Sequence, residues 1–168
     1  FYEFLEMPIR VDEMWKQNLD FDENIFEEIG KMLRSIHLFQ RKKLLHGDFV
    51  LHNIFFNSER ELCLIDCHPP EVIGFEKSYL YGDGLLEMNL FLLNIAGSLG
   101  LKLSIRNIKS VKSAIQNFLN GYDSKVGVKP LFYAIARFYR IRRASGFSLL
   151  NTIVHIIIGL FFIVVAYG

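Results

Sequence analysis

The chain has 168 residues, enough for one domain with a single core, and 51% of them are hydrophobic, including sixteen Phe and seven Tyr. That composition excludes a disordered segment, and no internal repeat or low-complexity stretch divides the chain. A formal net charge of +1 conceals an uneven spread: residues 1–40 carry four basic and nine acidic groups, 41–100 five and eight, 101–143 ten and one, and nothing after Arg143 is charged.

In chain order, residues 1–6 (Phe-Tyr-Glu-Phe-Leu-Glu) read as an amphipathic strand. Over 22–40, Ile25, Phe26, Ile29, Met32, Leu33, Ile36 and Phe39 recur with a helical period and form one apolar stripe. Acidic residues crowd the first turns of this helix, as its dipole favours. Only 41–45 separate it from His46-Gly47-Asp48; Asn53 comes five residues after Asp48, and Asp66 thirteen after Asn53. Between them, 54–56 and 62–65 are short apolar strands, and 57–61 (Asn-Ser-Glu-Arg-Glu) is the polar turn of a hairpin. Such a hairpin returns Asp66 to the end where Asn53 sits.

These residue types suit phosphoryl transfer from ATP. The γ-phosphoryl group passes through a loose transition state with charge spread over its oxygens, so the protein must orient a hydroxyl and hold Mg²⁺ against the phosphates. Asp48 would accept or orient the proton of the attacking hydroxyl, while Asn53 and Asp66 would offer hard oxygen ligands to the metal. A lone His-Gly-Asp is weak evidence, and a single loop Asp or Asn is usually a turn former or cap. Three such residues at fixed offsets, around an apolar hairpin and behind a helix, form a stronger signal.

Further along, Tyr81-Gly82-Asp83 leads into an apolar helix at 84–99. Lys102, Arg106, Lys109 and Lys112 are helical neighbours without interleaved aromatics, a solvated face rather than a nucleic-acid surface. Cys63 and Cys67 sit too close along a strand end for an easy disulfide, which implies a reduced, cytoplasmic setting. His46, His52 and His68 lie nearby, but no CxxC or HxxxH spacing supports zinc. Residues 144–168 hold no charge, and 147–167 is long enough to cross a hydrocarbon core of ~30 Å. Arg137, Arg140, Arg142 and Arg143 precede it, the flank expected on the cytoplasmic side of a span. The alternative is a buried helix pair broken at Gly159; the hydropathy of 156–158 and 160–166 favours the membrane.

On these residues the chain resembles the C-terminal lobe of the protein-kinase-like superfamily, in particular the aminoglycoside phosphotransferase and choline kinase type, over about residues 1–143. The short linker before His46 is similar to that of lipopolysaccharide Kdo kinases. The resemblance implies a mainly α fold with a small β-hairpin, a kinase-like lobe (1–143) that begins at the hinge and lacks the N-terminal β lobe, followed by the apolar helix of 144–168. It also implies that Glu3 and Leu5 hold adenine through their backbone carbonyl and amide, and that Phe55 forms an apolar floor beneath it. By the same resemblance His46 supports the catalytic loop, Asp83 starts a helix and braces that loop, and Phe118-Leu119-Asn120-Gly121-Tyr122 matches the F-x-x-G-Y segment of the phosphotransferases. Asp83 reads equally well as a simple N-cap.

Departures matter too. Val50 stands where many protein kinases carry a Lys, Gly47 where they carry Arg, and sixteen residues between Asp66 and Asp83 leave no room for a peptide-binding activation segment. The expected acceptor is therefore a hydroxyl on a small molecule, a sugar or a lipid-linked glycan, with His68-Pro69-Pro70-Glu71 beside it. No Gly-rich loop or strand Lys is present, so the 168 residues are expected to be a piece of a longer phosphotransferase, inactive alone. The alternative is a catalytically incomplete lobe acting as a membrane-associated binding module. Asp48, Asn53 and Asp66 argue against it, because a scaffold needs no such set.

Overall fold

The computed structural model describes residues 9–17, 22, 24–38, 45–57, 59–66, 84–99, 106–123, 125 and 128–167. Within them the chain is mainly helical with a small three-stranded antiparallel sheet. β1 (Ile9–Arg10) runs directly into α1 (Val11–Gln17), and α2 (Ile25–Leu38) follows. A 3₁₀ turn (Leu51–Asn53) leads into β2 (Ile54–Phe56) and β3 (Leu62–Leu64). Four helices complete the order: α3 (Gly84–Ser98), α4 (Ile108–Tyr122), α5 (Val128–Ala144) and α6 (Leu149–Tyr167).

The hairpin has Ile54 opposite Leu64, Phe55 opposite Cys63 and Phe56 opposite Leu62. Its turn is closed by the Asn57 amide on the Glu61 carbonyl at 3.0 Å. Asn57 Oδ1 also accepts the amides of Glu59 and Glu61, at 3.0 and 2.8 Å, so a short polar side chain replaces backbone pairing. The sheet has one strand more than the sequence suggested, since β1 pairs antiparallel with β2, Arg10 facing Phe55. Two residues show no alternation, and so carry no periodic signal.

The buried Asp12 ties β1 to α1. Arg10 donates to both its oxygens at 2.8 Å, and Lys16 Nζ approaches Oδ2 at 2.6 Å. Burial pushes this carboxyl up, but the hydrogen bonds from Arg10 and Lys16 outweigh it and hold it below the usual range. Trp15, on the same helix, meets Phe26 edge-on at 5.0 Å.

α2 starts at Ile25 rather than at 22, because Asp22 is spent on a turn. Its Oδ1 accepts the Asn24 amide and its carbonyl the Ile25 amide, each at 3.0 Å. The apolar stripe then buries Phe26, Ile29 and Leu33 against Val111, Ala114, Ile115 and Phe118 of α4. The two helices approach so closely that a Cβ on Gly30 would collide with Phe118 O and Tyr122 N, and one on Gly121 with Glu27 O.

α6 is one continuous helix. It is not interrupted at Gly159, where Leu93 of α3 packs into the space a side chain would need. Ser148 caps its start, its Oγ accepting the Asn151 amide at 3.2 Å. Ile158, Phe162, Ile163 and Ala166 join the common core, and Gln116 Nε2 donates to Ala166 O at 2.8 Å near the far end. By length and composition the stretch from Leu149 to Ala166 could cross a membrane.

Gly30→Ala should destabilise the protein by about 2 kcal/mol, overpacking outweighing the better helix propensity of Ala. Urea unfolding midpoints would register it, and an unchanged or raised midpoint would disprove the close approach of α2 and α4.

Candidate active site

The loop from Leu45 to Asn53 is gathered against one face of α3. Glu87 and Asn94 lie seven residues apart, on the same side of that helix. The buried Glu87 carboxylate accepts the His46 amide on Oε2 at 3.0 Å and the Gly47 amide on Oε1 at 2.6 Å. Asn94 Oδ1 accepts the Leu51 amide at 3.0 Å. Between these two anchors Phe49 meets Phe91 edge-on at 4.8 Å. Gly47 takes φ +91°, a region that favours glycine, and this suits Gly rather than Arg at that position.

Glu87 has a third partner, His37 from the end of α2. His37 Nε2 lies 2.8 Å from Glu87 Oε2 and Nδ1 lies 2.7 Å from the Tyr122 hydroxyl. A single tautomer, with the proton on Nε2, satisfies both contacts: His37 donates to Glu87 and accepts from Tyr122.

Asp48 and Asn53 are brought together directly. Asn53 is buried, and its Nδ2 donates to the Asp48 carbonyl at 3.0 Å and to Asp48 Oδ2 at 3.1 Å. Both donor bonds therefore clamp the half-buried Asp48, and Oδ1 is the remaining side-chain acceptor of Asn53. The ladder then extends by one bond, the Ile65 amide donating to Asn53 O at 3.0 Å, which delivers the exposed Asp66 to the Asn53 end of the hairpin. Asp66 itself takes φ +60°, a conformation uncommon outside glycine and tolerated by Asp.

His46 is buried beneath the loop, edge-on to Phe49 at 5.9 Å. Burial pushes its imidazole below the ordinary range, against the opposing pull of Glu87, Asp48 and the Ile65 backbone, so it adds no charge at neutral pH. Phe55 is half-buried on β2, on the opposite strand face from the fully buried Ile54. His52 is exposed. Glu3, Leu5, Cys67, the run His68 to Glu71, and Asp83 lie outside the described residues. Among the described residues it is Glu87 that makes bracing hydrogen bonds to this loop.

No family model, curated protein or solved structure matches the chain. The chemistry must be read from the residues alone. Among the described residues no cluster of three His, Cys, Asp or Glu side chains could by itself hold a metal ion. Asn53 Oδ1 and the Asp66 carboxylate are hard oxygen donors of the type Mg²⁺ takes, an ion that uses one or two protein oxygens and completes its shell with water and phosphate.

Sequence reasoning missed Glu87, Asn94 and His37, and named Tyr122 only as part of the Phe118–Tyr122 segment, without this role. The signal for the first two was present, because Glu87 is the one charged residue in the 84–99 helix and Asn94 sits two turns beyond it.

Glu87→Ala would strand the buried His46 amide and release Gly47, costing on the order of 3 kcal/mol. In hydrogen exchange the amides of residues 46 and 47 should lose protection well before that of Leu51, which Asn94 holds. Equal loss at all three sites would show that Glu87 is not the anchor.

Proposed function

We propose that this chain is part of an ATP-dependent phosphotransferase that moves the γ-phosphate of ATP to a hydroxyl of a small-molecule, sugar or lipid-linked glycan acceptor. The observation that carries this reading is the clamp of Asn53 on Asp48, together with the hairpin register that delivers Asp66 beside Asn53. A turn former or helix cap has no need of such an arrangement.

In the proposed reaction Asp48 holds and then accepts the proton of the acceptor hydroxyl. The hydroxyl oxygen bonds to the γ-phosphorus as the bond from that phosphorus to the β–γ bridging oxygen breaks, and ADP leaves. The Asn53 bond to Asp48 Oδ2 orients the carboxylate and the bond to the Asp48 carbonyl holds the backbone beneath it, so the base would be positioned before the acceptor arrives. Asn53 and Asp66 are the residues that would hold Mg²⁺, which when bound offsets charge on the phosphate oxygens. Phe55 would form the apolar floor under adenine. The Gly-rich loop and strand Lys that cover the phosphates would come from a preceding lobe.

In the full-length protein, Asp48→Asn should lower Mg²⁺-dependent ADP release by ~10²–10⁴-fold, with Mg-ATP affinity nearly unchanged. Asp66→Ala should instead weaken Mg-ATP binding. A full-length protein that binds no Mg-ATP, or an Asp48→Asn variant that turns over normally, would end the phosphotransferase reading.

α6 supports a membrane-facing placement of this lobe in the cytoplasm. Its inner face packs in the core, while Leu150, Ile153, Ile157, Phe161 and Val164 form an exposed apolar stripe, with Leu150 70% and Val164 67% accessible. Arg140 and Arg143 are exposed just before it and complement anionic headgroups. A helix that keeps its inner face on α3 and α4 would lie along the bilayer, apolar stripe inward. The full-length protein should float with vesicles containing anionic lipid, and Ile157→Asp with Val164→Asp should abolish most of that flotation. Unchanged flotation of the double variant would rule the stripe out.

A further inference from the structure

A cleft of about 650 Å³ opens beside Asp48, and none of its described lining residues belongs to β2 or β3. With ATP placed over the hairpin, an acceptor in this cleft would meet it at Asp48. The wall is α5, which contributes Phe138, Ile141 and Arg142, and the mouth is formed by Ser145 and Phe147.

Two carboxylates, Asp12 and Asp48, and two cations, Lys16 and Arg142, line the cleft. Asp12 lines it, but Arg10 and Lys16 already occupy that carboxylate. Arg142 has no carboxylate within ion-pair distance among the described residues, and its buried Nε has no hydrogen-bond partner. Burial lowers its affinity for its proton, as expected of a cation deprived of water. It is nevertheless held in place. The guanidinium carbon sits 3.8 Å from the centre of the Phe147 ring and 5.5 Å from that of Phe138. The turn that closes α5 sets this stack, with Gly146 at φ +82° and the Phe147 amide donating to Arg142 O at 3.0 Å.

We propose that this cleft is the acceptor subsite and that the acceptor is an alcohol that also bears an anionic group, a carboxylate or phosphate, next to an apolar portion. The anion pairs with Arg142, whose planar fork suits either group, the apolar portion lies on Phe138 and Ile141, and the hydroxyl reaches Asp48. The proposal rests on the phosphotransferase reading and narrows it. A polycationic amino sugar is disfavoured, because it would bring like charge to an unpaired guanidinium.

The test is calorimetric titration of the full-length protein, with Mg-ADP present, using hexyl phosphate, hexanoate and neutral hexyl β-glucoside. At least one anionic probe should bind ten-fold or more tighter than the glucoside, and the tighter of the two identifies the anion. Arg142→Gln should remove that preference. Ser145→Glu, at an exposed position on the cleft mouth, should weaken the anion at least five-fold and the glucoside little, and it carries the test if Arg142→Gln fails to fold. Equal binding of neutral and anionic probes, or an anion preference that survives both variants, overturns the inference. A separate Mg-ATP titration distinguishes the two failures: nucleotide binding without anion preference sinks the acceptor proposal alone, whereas no nucleotide binding sinks the phosphotransferase reading and the acceptor role with it.

Discussion

Glu87, only 6% accessible, accepts hydrogen bonds from three groups contributed by two different parts of the chain: the His46 and Gly47 amides of the loop and His37 at the end of α2. A carboxylate buried alone would cost several kcal/mol, so it survives here only because every approach to it is a donor. The dependence runs in both directions. Without Glu87 the loop loses the anchor for its first two amides, and without the loop Glu87 would be a buried charge with one partner. Asn94 repeats the arrangement two turns along α3, and the loop between is left with few ways to move. Asp48 is presented from that loop, with Asn53 closing on it from the far side.

The anchor in turn requires α2 to deliver His37, and α2 can do so only through its tight contact with α4. The segment Phe118-Leu119-Asn120-Gly121-Tyr122 contains the parts of that contact. Phe118 fills the core against Phe91 at 4.8 Å, Gly121 lets the Glu27 carbonyl come close, and Tyr122 supplies the hydroxyl that occupies the second ring nitrogen of His37. Core packing, helix approach and support of the Asp48 loop therefore meet within five residues.

Much of this was legible before any coordinates. The stripe of 22–40, the hairpin and its polar turn, and the apolar helix of 84–99 all follow from periodicity and turn chemistry, which are local. The convergence of Asn53 with Asp66 was also legible, because a two-strand register needs only the length of its turn. What could not be read is what depends on tertiary approach: Glu87 as a brace of the loop, His37 as its partner, and β1, whose two residues are extended only because β2 lies beside them. The register of a helix face gives a list of candidates on α3. Which of them meets the loop depends on how α3 is turned within the core.

The apolar tail shows the same limit from the other direction. Mean hydropathy averages over the circumference of a helix, and α6 has two different apolar faces: one holds Phe162 and Ile163 in the core, the other leaves Ile157 and Val164 to solvent or lipid. A soluble core helix and a span both satisfy such an average. Only the burial pattern separates them, and it describes a helix with 33% of its Leu149–Ala166 stretch buried inside the protein. Its first turn follows directly on Ser145 and Phe147, which border the cleft beside Asp48. The exposed apolar stripe and the cleft therefore share one turn of chain. If the proposed phosphotransferase reading and acceptor hold, an acceptor resident in the bilayer surface would reach Arg142 without first leaving the membrane, which would give the apolar helix a reason to lie beside Asp48.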